Sequence, residues 1–410
     1  MKNRLNQKFM ALLAAIAFIL TISIPLPAQE GNGDPKEEKE GFEFTVIKEL
    51  PATPVKNQYR SGTCWSFSSL SFFESELLRM GKGEYDLSEM YIVRKVYEDK
   101  AERYVRFHGK INFAGGGAFH DATHVLRHYG IVPEEVYSGK VIGEEHHVHG
   151  EMDAVTKAYV DAVLKNRNRK LTPVWMEGYE GILDAYLGKE PASFTYGGES
   201  HTPETFAREL GLNPSDYVEI GSFTHHPFYS KFIIEVPDNW LLDEIYNVPL
   251  DEMMEVIDYA IENGYTVAWG SDVSEKGFSW KDGVAVVPDE ELTDLSGTEK
   301  ERWEKLTDKE KEKALYSFDG PVKEKEITQE MRQKEFDNYL TQDDHGMHIV
   351  GTAKDQEGNL YYKVKNSWGT EDHIYDGYFY ASDAFVRLKT IDIMVHKDAV
   401  PDAIREKLGF

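Results

Sequence analysis

Helical periodicity comes early in this chain and strand alternation comes late, and that order allows few architectures. In the segment from Thr63 to Gly83, Trp65, Phe67, Leu70, Phe73, Leu77 and Leu78 lie at helical spacing. Thr63 stands at the capping position, and Gly81 and Gly83 end the run. DLSEMYIVRKVYEDKAERYVRF reads as a second helix capped by Ser88, and a GGG loop leads into a third helix that exits at Gly130 and Pro133. Further helices are expected around 151–167, 203–210 and 251–263, and TVAWGSDV, 266–273, reads as a buried strand. Residues 288–340 are densely charged and read as mostly helical, solvated faces. MHIVGTAKDQEGNLYYKVKNSWG then reads as two strands joined by a Glu-Gly-Asn turn, and GYFYASDAFVRL and TIDIMV supply more strand material. With no internal repeat, this order predicts an α+β fold with a helical lobe and a sheet lobe.

Composition removes several function classes. The chain has 410 residues and a formal net charge of −26, so phosphate backbones would repel it and nucleic-acid binding is excluded. Hydrophobic residues make up 41%, enough to build a core, which excludes global disorder. The chain has one cysteine, Cys64, which allows neither an intrachain disulfide nor a Cys-rich metal site. At the N-terminus, Lys2, Arg4 and Lys8 precede the apolar run 9–24, broken by Pro25 and Pro27 and followed by Ala28. This pattern predicts a signal peptide over 1–28, an acidic linker over 29–41, and an exported periplasmic or extracellular product that meets the membrane only during export. The folded domain is expected over 42–410, with an inserted, largely helical region around 140–340.

The chemistry concentrates around Cys64. It opens an apolar helix, where the dipole favours an anion and can lower a cysteine pKa. A thiolate nucleophile also needs a base and an oxyanion site. Gln58, six residues upstream, is one candidate donor, and the Cys64 backbone N–H is the other. Far downstream, DHGMHIVG holds His345 and His348, and KNSWG holds Asn366. Cys, His, Asn and Gln suffice for acyl transfer through a thioester. Alternating strand faces allow only one of the two histidines to face Cys64, and the reading chooses His345, leaving His348 a packing role.

These motifs resemble a known family. QYRSGTCWSFS, DHGM and NSWG, in that order, are similar to the nucleophile, histidine and asparagine motifs of papain-like cysteine peptidases. The long Cys-to-His separation, the segment GSDVSEKGF and the ending HKDAVPDAIREKL resemble the bleomycin hydrolase/aminopeptidase C branch. The resemblance implies a two-lobed papain-like fold and makes Cys64 the nucleophile and His345 the base and then acid. It also makes Asn366 the group that holds the imidazole, Trp368 its shield, and Gln58 an oxyanion donor. Gly116 and Gly117 match paired glycines that run beside the substrate backbone. Peptides are the implied substrates, no cofactor or metal is implied, and the family forms homo-oligomers, often hexamers. In the family a C-terminal arm continues into the cleft, whereas this sequence stops at Phe410, so a less strict aminopeptidase is expected. Glu144 or Glu145 is a candidate to hold a substrate ammonium.

The rival readings are an endopeptidase with an open cleft and an inactive papain-fold binding protein. The histidine clusters His146, His147, His149 and His225–His226 have spacing that could suit a metal. They read instead as polar surface loops, since no carboxylate–His pattern on a helix accompanies them.

Overall fold

The computed structural model describes residues 41–290 and 303–410. The expected signal peptide lies outside the described residues, as do the linker except Gly41 and residues 291–302 of the charged region.

The fold is organised around the helix α1, Cys64–Arg79, in which every residue from Trp65 to Leu77 is buried. A helix covered on all sides is a core element. One side packs against α2, Glu89–Arg106, and α3, Phe119–His128, and another lies against the strand His345–Lys354. Ser88 caps α2 as expected, its Oγ accepting the Tyr91 N–H at 3.0 Å. Thr63 sits at the N-cap of α1 but does not cap it, because its hydroxyl pairs with Ser61 Oγ at 2.5 Å. The expected cap is thus corrected: the first N–H groups of α1 are left without a side-chain acceptor.

The sheet has eleven strands. Its centre runs 217–221, 390–396, 267–271, 345–354, 360–365 and 378–382, and Thr45–Glu49 adds to the far end of 345–354. The hairpin 345–354/360–365 is antiparallel, and Gly358 takes φ +90° in its turn, a conformation that suits glycine. Two main cores result. Trp65, Leu70, Phe73 and Tyr97 belong to the helical one, and Ile257, Trp269, Met347 and Phe379 to the one over the sheet. The architecture is α+β with a helical half and a sheet half.

The stretch 140–340 differs from a largely helical insertion. It holds the helices 150–164, 174–187, 203–210 and 250–262, but it also supplies the strands 217–221, 244–247 and 267–271. Strand 267–271 pairs directly with 345–349, so this stretch is part of the central sheet. Within 303–340 only Asp308–Leu315 and Gln329–Asp337 are longer helical runs, and the turns between them leave much of that segment irregular. Among the described residues no helix is long and apolar enough to cross a membrane.

Gly346 lets the two halves meet. A Cβ there would stand 2.8 Å from Ser68 Oγ and 3.3 Å from the Trp65 Cα. The backbone of α1 cannot yield as a flexible side chain would, so strand 345–354 approaches the helix this closely only without a side chain. We expect Gly346→Ala to destabilise the fold by about 1–3 kcal/mol, as overpacking does. Urea unfolding measures this, and an unchanged midpoint would show that the contact is not tight.

Candidate active site

The first turn of α1 carries Cys64 to the junction of the halves, and His345 opens the strand opposite Ser271. The turn before His345 is clamped. Asp344 Oδ2 accepts from Ser274 Oγ at 2.7 Å, and Asp272 Oδ2 accepts the Gln342 N–H at 2.9 Å. One cleft is lined by Cys64, Gly117 and His345 together with Asp238, Asp343 and Asp392.

Asn366 lies against His345. The imidazole Nε2 donates to Asn366 Oδ1 at 2.7 Å, and the same oxygen accepts the Ser367 N–H at 2.7 Å. The Trp368 ring lies 4.6 Å from the His345 ring, covering this pair. The Gln58 segment is tied to the same corner: its backbone N–H donates to Ser367 O at 2.8 Å, and Ser367 Oγ donates to Gln58 Oε1 at 2.6 Å. Gln58 Nε2 gives one hydrogen to Ser61 O at 3.0 Å. An amide carries two, so one remains for another acceptor.

The electrostatics correct one expectation. Burial pushes the Cys64 thiol up to about 12, the carboxylates of Asp343 and Asp238 add to the rise, and backbone N–H groups of Gly346 and Trp65 only partly offset it. The N–H at the start of α1 pulls this pKa down, but burial outweighs it. Burial also lowers the His345 pKa, with the Asn366 hydrogen bond working the other way. Burial thus opposes a lone thiolate and a lone imidazolium alike.

The glycine loop reaches the cleft for a reason of its own. A Cβ on Gly117 would stand 2.8 Å from the Trp65 ring, and one on Gly116 would overlap Asp238. Trp65 Nε1 donates to Gly115 O at 3.1 Å, and the buried Lys100 donates to Ala114 O at 2.9 Å. Contacts within the protein already crowd both positions, whatever a substrate adds: the rigid Trp65 ring at Gly117 and the Asp238 carboxylate at Gly116. Gly117 lines the cleft with Cys64; Gly116 sits behind it against Asp238.

His348 points elsewhere. Its Nδ1 lies 2.9 Å from Ser71 Oγ, two turns along α1 from Cys64. The other histidine clusters separate as well. His147 and His149 are buried rather than exposed, because the 147–149 segment bonds to the Arg60 backbone beside α1. Burial lowers them to about 3 and about 4 and keeps both neutral. His225 and His226 each donate from Nε2 to Glu235 at 2.9 Å. Gln333 Nε2 donates to His225 Nδ1 at 3.0 Å, while Gln333 Oε1 is held by the Thr224 N–H at 2.6 Å. That orientation keeps the proton of His225 on Nε2, where a metal would have to bind.

Sequence reasoning missed the acidic wall. Glu144 and Glu145 are exposed and do not line the cleft. Asp238, Asp343 and Asp392 do. Burial, then repulsion from Asp238 and Asp344, raises Asp343 to about 7. Burial and the neighbouring Glu219 raise Asp392 well above the usual carboxylate range. Glu219 is also paired with His120 at 2.9 Å; burial opposes the charge on that ring, but Glu219 holds its pKa up to about 10. An acid inside the apolar strand TIDIMV was a readable signal for Asp392; nothing marks Asp238 in its loop.

Comparison with known proteins agrees with this geometry. The Peptidase C1-like family matches residues 26–170 and 315–409. Aminopeptidase C of Streptococcus thermophilus is 23% identical over 412 residues, spanning 88% of this chain and 84% of its own. Aminopeptidase C of Listeria monocytogenes is 24% identical over 392 residues, spanning 85% and 81%. The crystal structure of pepw from Lactobacillus rhamnosis superposes with a TM-score of 0.65 at 19% identity, covering 89% of this chain and 84% of that one, which shows a shared fold. With the family matching more than half of its length, the chain belongs to the Peptidase C1-like family and is a cysteine peptidase of papain-like fold.

Proposed function

We propose that the chain is an aminopeptidase, hydrolysing peptides from their free amino end. In this reading the Cys64 thiol passes its proton to His345 and its sulfur attacks the carbonyl carbon, forming a tetrahedral oxyanion. The Cys64 N–H and Gln58 Nε2 receive that oxyanion. The imidazolium, kept in orientation by Asn366, then protonates the leaving amine as the thioester forms. Water, deprotonated by His345, cleaves the thioester and restores the thiol.

The observation that carries the amino-end assignment is the charge of the cleft. Asp238, Asp343, Asp344 and Asp392 line it beside Cys64, and no Lys or Arg is among its described lining residues. A free ammonium is attracted to such a wall, and an acetylated terminus forfeits that attraction. The relatives named Aminopeptidase C support the same reading. A pair of peptides identical except for N-terminal acetylation tests it. We expect the free peptide to lose its first residue at least tenfold faster, a difference of about 1.4 kcal/mol at the transition state. Equal rates, with cleavage at internal bonds, would favour an endopeptidase.

The wall should also give the Michaelis constant a pH dependence of known sign. Asp343, raised to about 7, is partly protonated at neutral pH, and only its ionised form attracts an ammonium. KM for the free peptide should fall as pH rises from about 6 to about 7, before loss of the peptide's ammonium, half complete near 7.7–8.0, reverses the trend. Asp343→Asn should flatten that fall, and a profile unchanged by the substitution would remove Asp343 from substrate binding.

We further propose that residues 1–28 direct export. N-terminal sequencing of the protein from a secreting host should find a start just beyond Ala28, and a product retaining Met1 would refute this.

A further inference from the structure

Behind the candidate catalytic residues, between α1 and the strand ends 346–348 and 365–367, lies a small cavity with room for about one water molecule. Its polar wall includes Glu74, Glu89, His348, Lys365 and Asn366. Two buried nitrogens of these residues, Asn366 Nδ2 and His348 Nε2, have no hydrogen-bond partner in the protein. Both residues are at least nine-tenths buried, at 3% and 1% exposure.

The surrounding hydrogen bonds settle what each nitrogen offers. Asn366 Oδ1 is engaged by His345 and by the Ser367 N–H, so the amide cannot be turned over, and Nδ2 presents hydrogens. Lys365 Nζ donates to Ser71 Oγ at 2.8 Å, so the Ser71 hydroxyl has its own proton to give to His348 Nδ1 at 2.9 Å. Burial, with Lys365 nearby, keeps the His348 ring neutral, and a neutral ring that accepts at Nδ1 carries its proton on Nε2. The two unpartnered donors therefore belong to residues that line one cavity, together with the ammonium groups of Lys56 and Lys365, and a water has two lone pairs to accept from Asn366 and His348. The carboxylates of Glu74 and Glu89 line the same cavity and accept from Lys56 there.

We propose that His348 is a positioning residue: through one buried water it holds the free end of the Asn366 amide and so keeps the amide oxygen on His345. The inference rests on the reading of Cys64, His345 and Asn366 as the reacting set, but not on where peptides are cut.

The test uses the full-length protein and reads two quantities: turnover per titrated thiol, and the pH profile of Cys64 alkylation by iodoacetamide. The second needs no peptide substrate, so it is independent of the aminopeptidase assignment. His348→Leu should lower turnover roughly tenfold with KM nearly unchanged, short of the hundredfold that a misplacement of about 1 Å can cost. It should shift the alkylation profile in the same direction as Asn366→Ala, and His348→Gln, which offers an amide N–H near the former Nε2, should recover most of the loss. Combined with Asn366→Ala, His348→Leu should add almost nothing, because both act through the same imidazole. Full turnover in His348→Leu, or a loss that multiplies with that of Asn366→Ala, would overturn the proposal. If His348→Leu yields no titratable thiol, Ser71→Ala, which frees the other end of the ring, is measured in the same way. A normal profile in that variant, or a loss additive with Asn366→Ala, counts equally against the proposal.

Discussion

The close approach of α1 to the strand His345–Lys354 is the contact on which the rest of the site depends. Cys64 belongs to the helix and His345 to the strand, and neither residue reaches the other through its own local structure. Gly346 lets the backbones meet, with Trp65 and Ser68 filling the space that a side chain would occupy. A papain-like arrangement needs this contact before any of its polar groups matter, since it is what brings Cys64 and His345 to one cleft.

A second constraint is that the polar corner is closed from both ends of the chain. The segment around Gln58 pairs with Ser367 through backbone and side chain, so the candidate oxyanion donor and the asparagine motif are held by the same bonds. Trp368 covers the His345–Asn366 bond, and a hydrogen bond kept from water holds its geometry better than an exposed one. The uncapped start of α1 fits the same design. Thr63 turns to Ser61, so no side chain competes for the first N–H groups of the helix.

Charge decides what such a cleft attracts. Its carboxylates are crowded, and two of them, Asp343 and Asp392, are held above the usual carboxylate range, so a cation entering the cleft would favour their ionisation. Lys100 and His120 lie behind the wall and hold the glycine loop and Glu219, respectively, rather than facing an incoming peptide. The acidic balance of the whole chain repels phosphate backbones; the local balance at Cys64 is what bears on the end of a peptide.

Much of this was legible in the residues. The helix around Cys64, the Ser88 cap, the hairpin with Gly358 and the pairing of His345 with Asn366 follow from periodicity, capping chemistry and motif order, which act over a few residues or survive as short strings. The capping role of Thr63, the burial of His147 and His149, and the strands within 140–340 were not legible. Each depends on what a distant segment offers: Ser61 as a competing partner, the Arg60 backbone as a pairing edge, strand 345–354 as a template. The acidic wall is the clearest case. Asp238, Asp343 and Asp392 come from a loop, a turn and a strand far apart in the chain, and only the fold makes them neighbours. Residue order names the groups able to do the chemistry; folding in three dimensions sets which charges surround them, because electrostatic environment depends on distance in space and burial, and neither is a property of residue order.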